Sequence, residues 1–198
     1  MRNIALFVED HGHHVFVEGI VKRLAQTYCV PVQCKEVSVR GGYGKVTVEL
    51  EQFVRDMNRG RVSLPELLIV ATDANCRGFN ERKKELDAKI TEKLKPFVVH
   101  AIPDPHVERW MLLDSGAFKT VFGTGCDSPD QKCKKDRYKD LLRNQITSSG
   151  TTPVLGGMEF AEAIVSAMDL PNAARQDKSF GSFIESLESR FKQWVRGG

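Results

Sequence analysis

The sequence lacks any hydrophobic run long enough to cross a membrane. Its hydrophobic fraction is 41 %, and its apolar stretches fall well short of the ~20 residues that a membrane-spanning helix needs. Near the start of the chain, Glu9 and Asp10 come too early for the apolar segment of a signal peptide. These absences predict a protein that is soluble and located in the cytoplasm.

Cysteine is scarce and forms no recognisable pattern. The chain has five cysteines, an odd number without regular spacing, and it contains no CxxC pair. Cys126 and Cys133 lie in a polar segment, but their spacing is wider than that of known zinc sites. The sequence therefore favours free thiols over a disulfide framework, and zinc is less favoured than a harder metal.

Excess charge of one sign is also small. The net charge of +3 permits nucleic-acid binding without arguing for it, because a specific binder usually concentrates its basic residues on one face. Local basic clusters occur at 22–23, at 82–84 and at 132–139, the last with Lys or Arg at five positions. Each cluster is either a solvated surface or a contact for phosphate.

What the sequence does contain is an alternation of strand and helix patterns. Four segments are predicted as strands from apolar runs or period-two alternation: 3–8, 32–39, 67–71 and 97–102. Three segments between them have helical spacing: 15–28, 46–58 and 78–95. This order predicts an α/β fold, with a mostly parallel sheet, right-handed crossovers and flanking helices.

The C-terminal part is predicted to be loop-rich and helical. A short helix at 106–113 precedes a polar segment at 120–152 that has no clear periodicity and reads as a loop-rich insertion or a flap. Amphipathic helices are predicted at 157–168 and 180–195, with a break at 170–172. We expect one domain over residues 1–198, with a core of about 1–118 and an extension of about 119–198.

Acidic residues follow three of the predicted strands. Glu9 and Asp10 follow the first, Asp73 the third, and Asp104 with Glu108 the fourth. Because ligands bind beyond the carboxyl ends of parallel strands, these carboxylates would converge and need a cation, for which Mg²⁺ or Mn²⁺ is the natural choice. Each acid alone is equally consistent with a helix cap or a solvated loop residue.

Four segments in this order resemble a family of small Toprim-like prokaryotic proteins, related to Toprim-domain nucleases of the OLD type and in some cases encoded near mobile-element or phage-defence genes. The segments are 6–12 (LFVEDHG), 40–45 (RGGYGK), 69–75 (IVATDAN) and 105–114 (PHVERWMLLD). Residues 178–187 are similar to the closing helix of the family. The resemblance implies a Toprim-like, Rossmann-like α/β fold with C-terminal helices.

The resemblance also implies roles for individual acids. Glu9 matches the glutamate that serves as general acid/base and metal contact, and Asp73 matches the first aspartate of an Asp-x-Asp pair. Asn75 stands at the second position, a departure that removes a charge and should weaken metal binding. Glu108 and Asp114 match later acidic positions, so Glu9, Asp73 and Glu108 are the predicted catalytic residues and all five are predicted metal contacts. A helix cap is the alternative for Asp114.

Three histidines come directly after Glu9 and Asp10. His11, His13 and His14 could bind a transition metal or supply a general acid, although they lack the spacing of a known zinc class; the alternative is a polar surface loop. Trp110 is predicted to pack in the core rather than to stack on a base.

The glycine-rich turn at 40–45 is a predicted phosphate contact. Gly42 and Gly44 would let backbone N–H groups approach an anion at a helix start, and Lys45 would supply charge. The turn lacks the P-loop pattern, so nucleotide hydrolysis is not supported. A purely structural turn is the alternative.

Together these features predict a metal-dependent nuclease or related phosphotransfer enzyme that acts on DNA or RNA. The resemblance implies an ATPase partner, since the sequence shows no ATPase motif of its own. One alternative is a non-catalytic nucleic-acid or partner-binding subunit with a degenerate metal site, which Asn75 favours. Another is a small-molecule phosphohydrolase. A receiver-type regulatory domain fits less well, because it explains neither the turn at 40–45 nor the segment around Trp110.

Overall fold

In the computed structural model, which describes residues 1–39, 43–127, 129–134 and 136–197, four strands form one parallel sheet. The strands are β1 (Arg2–Val8), β2 (Val32–Ser38), β3 (Leu67–Ala71) and β4 (Val98–Ala101), in the order β2-β1-β3-β4. The chain leaves β1 toward β2 and then returns past β1 to reach β3. The direction of winding therefore reverses between β1 and β3, where open parallel sheets bind their ligands.

Helices cover both faces of this sheet. Within the described residues they are α1 (His11–Thr27), α2 (Val46–Asn58), α3 (Phe79–Asp87), α4 (Val107–Met111), α5 (Ser115–Phe122), α6 (Arg137–Ser148), α7 (Ala161–Ala167), α8 (Leu170–Gln176) and α9 (Lys178–Gly197). Within the same ranges, no helix combines the length and the apolar character that a membrane crossing requires.

Strand β1 separates two hydrophobic cores because successive side chains of a strand point to opposite faces. Ile4, Leu6 and Val8 pack into a core with α1, whereas Ala5 and Phe7 pack into a second core with α2 and α3. The first core continues through α4, α5, α7 and α9. The C-terminal helices therefore share a core with the sheet.

The predicted α/β class and parallel sheet are confirmed, and the helix predicted at 46–58 has those bounds. The prediction for 120–152 was wrong, because α6 lies within that segment and buries Tyr138, Leu142 and Ile146 at helical spacing. The predicted break at 170–172 is instead the start of α8, with proline in its first turn, a position where the missing N–H costs nothing.

The prediction that the thiols are all free was also wrong. Cys76 and Cys133 form a disulfide bond, with their Cα atoms 5.4 Å apart, while Cys29, Cys34 and Cys126 are free. The bonded pair is separated by 57 residues. Spacing along the chain could not reveal it, because the fold brings the end of β3 next to the segment before α6.

Candidate active site at the carboxyl edge of the sheet

A polar cleft of about 310 Å³ opens where β1 and β3 end and α4 begins. This is the switch point of the sheet, so the position agrees with the site expected from the topology. The residues that line it are Glu9, Asp10, Asp73, Asn75, Cys76, His106, Val107, Glu108, Cys133, Asp136 and Lys139.

Glu9, the first residue after β1, is held by a short relay of hydrogen bonds. Its Oε2 accepts the Thr72 hydroxyl at 2.6 Å and the Asp73 N–H at 3.3 Å. The Thr72 Oγ1 in turn accepts a hydrogen bond from the buried Arg82 guanidinium at 2.9 Å. Burial raises the pKa of Glu9, and the positive charge of His13 and the Thr72 hydrogen bond offset that rise only in part.

Asp73 follows β3 and is nearly buried, with 9 % of its surface exposed. Its Oδ1 accepts the N–H of Val107, the first residue of α4, at 2.9 Å, and lies 3.0 Å from Nε2 of His13. Both contacts fall on one oxygen. Asp73 therefore joins the end of β3 to the start of α4 and to α1.

His13 is buried between two carboxylates. Its Nδ1 lies 2.8 Å from Oδ1 of Asp10 and its Nε2 lies 3.0 Å from Oδ1 of Asp73. A neutral imidazole has only one N–H, so both contacts are hydrogen bonds only in the imidazolium form. Burial disfavours that charge, but the two carboxylates outweigh burial and raise the pKa of His13 well above its ordinary 6.5. Burial likewise disfavours ionised Asp10, yet His13 lowers the pKa of Asp10 overall.

The three neighbouring histidines do not act as one cluster. They lie in the first turn of α1, which Asp10 caps by accepting the His13 N–H, so the alternative of a polar loop was wrong. His11 is exposed, and Nδ1 of His14 lies 3.2 Å from Oε2 of Glu36 on β2. Only His13, of the three, belongs to the hydrogen-bond network of the cleft.

Glu108 on α4 is the most unusual acid of the cleft. Only 5 % of its surface is exposed, and its Oε2 is buried without a hydrogen-bond partner among the described residues. Burial and then the negative charge of Asp73 raise the pKa of Glu108 to about 7. A buried polar atom without a partner is costly, so this oxygen is the part of the cleft that most plainly lacks a ligand.

The short helix α4 holds Glu108 in place through the residues that follow it. Trp110 is fully buried and stacks on Phe183 with ring centroids 5.7 Å apart, and its Nε1–H donates to the Ser179 hydroxyl at 2.9 Å. Arg109 forms a buried ion pair with Asp177. The prediction that Trp110 packs in the core is confirmed, and α4 is fixed to α9 on the side away from the cleft.

Asn75 reaches the cleft with a backbone in the left-handed region, at φ 51°, which asparagine adopts more readily than most residues. Its N–H donates to the Pro105 carbonyl at 3.0 Å, and its Oδ1 lies 3.2 Å from Nε2 of His106. The structure thus brings Asn75 to the predicted place. Its amide oxygen is already in contact with a protein group.

Asp114 caps α5, and Asp104 accepts a hydrogen bond at the start of α3. Oδ1 of Asp114 accepts the N–H groups of Gly116 and Ala117 at the start of α5, and its Oδ2 accepts the N–H of Asp169. Oδ2 of Asp104 accepts the N–H of Phe79 at the start of α3. Neither aspartate lines the cleft, so the capping alternative is what the structure shows for Asp114.

Of the predicted phosphate contacts, the two described residues, Gly44 and Lys45, do not line this cleft. Gly42 falls outside the described residues. Gly44 and Lys45 are exposed in the 3-10 turn before α2. A Cβ at Gly44 would meet no atom within 4 Å, so the surroundings do not require glycine there. Phosphate binding by this turn stays a prediction.

Sequence reasoning missed Lys139 as a residue of the site. Lys139 on α6 lines the cleft and also an adjoining cavity of about 190 Å³. The two spaces share Asp10, Val107, Glu108 and Lys139. The signal was present as the basic run at 132–139, but the sequence gave no reason to place that run beside the acids.

The carboxylates share the cleft without forming a ready ligand shell. Among the described residues, no three His, Cys, Asp or Glu side chains are grouped so that they could hold a metal. Within the described part of the chain, the hydrogen bonds of Glu9 and Asp73 nevertheless fall on one carboxylate oxygen each, and Glu108 Oε2 has no partner. Three carboxylates, each with an uncommitted oxygen, fit a hard divalent cation in donor type.

Comparison of the chain with protein-family models, with curated proteins and with solved structures finds no match. The class of molecule is therefore defined by its own geometry: an α/β protein with a parallel four-stranded sheet and an acidic cleft at the switch point of that sheet.

Proposed function

We propose that this chain is a Toprim-like, metal-dependent nuclease of the cytoplasm. The observation that carries the proposal is the buried Oε2 of Glu108, which has no partner among the described residues and lies in the same cleft as Glu9 and Asp73. Burial of a carboxylate oxygen that has no partner is unfavourable unless a ligand binds to that oxygen. A divalent cation is a ligand that suits carboxylate oxygens of this kind, and the three side chains would have to draw together to hold it.

Glu9, Asp73 and Glu108 are the residues that would hold Mg²⁺ or Mn²⁺. Bound there, the metal would polarise a phosphate and lower the pKa of a coordinated water. The chain supplies the rest of the arrangement. Thr72 orients Glu9, and His13 fixes one oxygen of Asp73 so that the other remains available.

Basic residues beside the cleft support a nucleic acid as the substrate. Lys139 lines the cleft, and Lys132, Lys134 and Arg137 precede it within the same basic run. Arg137 and Lys132 both pair with Asp130, so part of this charge is already balanced. Cationic side chains along one approach to an acidic cleft suit a polyanion that must extend past the reacting phosphate.

A non-catalytic nucleic-acid or partner-binding subunit is the second candidate, and a specific observation favours it. The His13 imidazolium already compensates Asp10 and Asp73, and Asn75 supplies an amide where the resemblance implies a carboxylate. A cleft balanced in this way could bind phosphate without cutting it. An ATPase, as the resemblance implies, is the kind of partner that such a subunit would serve.

Cleavage of labelled single- and double-stranded DNA and RNA tests the proposal. The assay compares Mg²⁺, Mn²⁺ and EDTA for the wild type and for Glu9→Gln, Asp73→Asn and Glu108→Gln. Glu185→Gln is the matched control, because Glu185 is an exposed acid on α9. We expect metal-dependent cutting that the control retains and that falls by about 10²-fold or more in the three cleft variants.

The other outcomes separate the alternatives. Binding of nucleic acid by a folded wild type that cuts under no metal would favour the non-catalytic subunit. Hydrolysis of a small chromogenic phosphodiester, with no activity on any nucleic acid, would favour the small-molecule phosphohydrolase. Cutting that all three cleft variants retain would place the active site elsewhere and overturn the proposal.

A further inference from the structure

The disulfide bond lies at the cleft itself. Cys76 belongs to the 3-10 turn Asn75–Arg77 that follows β3, and Cys133 belongs to the segment that precedes α6. Both cysteines line the cleft, and both residues are exposed. The bond therefore joins two of the elements that enclose the candidate active site, and a reductant in solution has access to it.

Hydrogen bonds hold the beginning of the segment that carries Cys133. The Tyr138 hydroxyl lies 2.8 Å from the carbonyl oxygen of Asp130 and accepts the N–H of Lys132 at 2.8 Å. The Arg109 Nε–H also donates to the Asp130 carbonyl, at 3.1 Å. These contacts attach the segment to α4 and α6, at a point before it reaches Cys133.

The connection from this segment to the turn after β3 is a covalent bond. Among the described residues, no hydrogen bond or ion pair joins Cys133 or Lys134 to β3 or to the turn that follows β3. The carbonyl of Lys134 accepts the N–H of Arg137, a contact within the start of α6. The covalent bond to Cys76 thus joins Cys133 to the turn that follows β3.

We propose that the Cys76–Cys133 pair is a site of thiol–disulfide exchange and that its reduction opens one side of the cleft. The effect on activity rests on the nuclease proposed above, whereas the exchange and the release of the segment do not. In a reducing compartment, disulfides are usually transient and either catalytic or redox-sensing. Exposed disulfides are also the ones most open to exchange.

The reductant is a dithiol, either a small molecule or a protein of the dithiol-reductase class. One of its thiolates attacks a sulfur of the bridge, the S–S bond breaks, and the other cysteine leaves as a thiolate. The second thiol of the reductant then attacks the mixed disulfide at the sulfur of the reductant, and the remaining cysteine leaves as a thiolate. Two electrons pass from the dithiol, which becomes a disulfide, to the cysteine pair, and two protons given up by the dithiol complete the two cysteine thiols.

Reduction changes access without dismantling the cleft. Helix α6 keeps Tyr138, Leu142 and Ile146 in the core, so Lys139 stays on its helix. With the bridge closed, the Cα atoms of Cys76 and Cys133 are 5.4 Å apart, so the segment before α6 is held against the turn after β3 on that side of the cleft. We therefore infer that a polynucleotide enters the cleft of the oxidised protein poorly, whereas a small phosphodiester enters the cleft of either form.

Cysteine alkylation and limited proteolysis test the exchange and the release. Mass spectrometry of the unfolded, unreduced wild type should show alkylation at Cys29, Cys34 and Cys126 only, with two further sites after reduction. Trypsin should cut the native reduced protein after Lys132 or Lys134 about tenfold faster or more than the oxidised protein, because local release governs such cleavage.

The Cys76→Ser/Cys133→Ser variant should match the reduced wild type in this assay under both conditions, and Cys29→Ser should behave as the wild type does. Equal tryptic rates for oxidised and reduced wild type, or five alkylated cysteines without reduction, would overturn the proposal.

Cleavage assays then test whether the disulfide controls access to the cleft. For the wild type, reduction should raise kcat/KM on a single-stranded oligonucleotide by about fivefold or more, with little change on a small chromogenic phosphodiester, and the double serine variant should show no redox dependence. Equal oligonucleotide cleavage in both redox states would overturn the proposal that the disulfide controls access to the cleft. If neither state cuts nucleic acid while the segment is still released on reduction, the nuclease falls and the exchange site stands.

Discussion

Replacement of Glu108 by glutamine should stabilise the metal-free protein at alkaline pH. The wild-type carboxyl is buried, its Oε2 finds no partner in the residues that the structure describes, and burial with the nearby charge of Asp73 raises the pKa of Glu108 to about 7. A raised carboxyl pKa means that the folded state binds the proton more tightly than the unfolded state does. Stability is therefore lost as pH rises from the ordinary value of 4.5 through about 7.

The size of the effect follows from that difference. At 1.36 kcal/mol for each pH unit of difference in pKa, ionisation of Glu108 costs the folded state about 3 kcal/mol once the pH is well above 7. At pH 5 the folded carboxyl is still protonated, and the cost is below about 1 kcal/mol. Glutamine has a similar shape and never ionises. The stability of the variant relative to the wild type should thus rise by about 2–3 kcal/mol between pH 5 and pH 8.

Urea denaturation at pH 5 and pH 8, in EDTA, measures this directly. Glu185→Gln is the control, and a change at an exposed position should stay within about 0.5 kcal/mol at both pH values. Addition of Mn²⁺ at pH 8 should stabilise the wild type and have much less effect on Glu108→Gln. A difference between variant and wild type that does not depend on pH would refute the reasoning, because it would mean that Glu108 is not desolvated.

Three further predictions concern contacts of the same region. Thr72→Val removes both the donor to Glu9 and the oxygen that accepts the Arg82 hydrogen bond; it should cost about 1–3 kcal/mol in urea denaturation and lower metal-dependent cleavage, and unchanged stability would contradict the relay. His13→Asn should destabilise most between about pH 4 and 6.5. The pairing of Asp10 with His13 stabilises the fold in full only above pH 3.8, since the pKa of Asp10 is lowered, and the raised pKa of His13 contributes in full only below pH 6.5; a loss that is constant from pH 3 to pH 9 would argue against a charged His13. Serine at both Cys76 and Cys133 should lower the free energy of unfolding by roughly 4 kcal/mol under non-reducing conditions, given the 57-residue separation, and equal urea midpoints would show that the bridge is absent.

The parts of the fold that follow from local pattern were predictable from sequence. The apolar stripe of α2 and the apolar run of β3 fix their own type and bounds, because burial on one helix face or on both faces of a strand leaves a period that can be read directly. The stripe of Tyr138, Leu142 and Ile146 on α6 is equally regular. It was hidden among charged residues, which give that segment the composition of a loop.

The candidate site was predictable where it depends on strand ends and not where it depends on contacts across the chain. Glu9 comes one residue after β1 and Asp73 two residues after β3, so topology alone brings them together. The placement of Lys139 depends on how α6 packs, and the Cys76–Cys133 bond depends on the same packing. No local pattern encodes either contact. His13 was seen as a candidate, but its burial between two acids comes from the cap that Asp10 gives α1.

Charges within the cleft balance part of the negative charge of its acids. The His13 imidazolium compensates Asp10 and Asp73, and Glu108 keeps a proton up to about pH 7, since burial raises its pKa to that value. A divalent cation that took Glu108 as a ligand would have to displace that proton, because only the ionised carboxylate is a strong ligand. Metal affinity and proton loss are then linked at one residue. Glu108 loses its proton in the metal-free protein at about pH 7. Above that pH, a cation would not have to compete with a proton for this carboxylate.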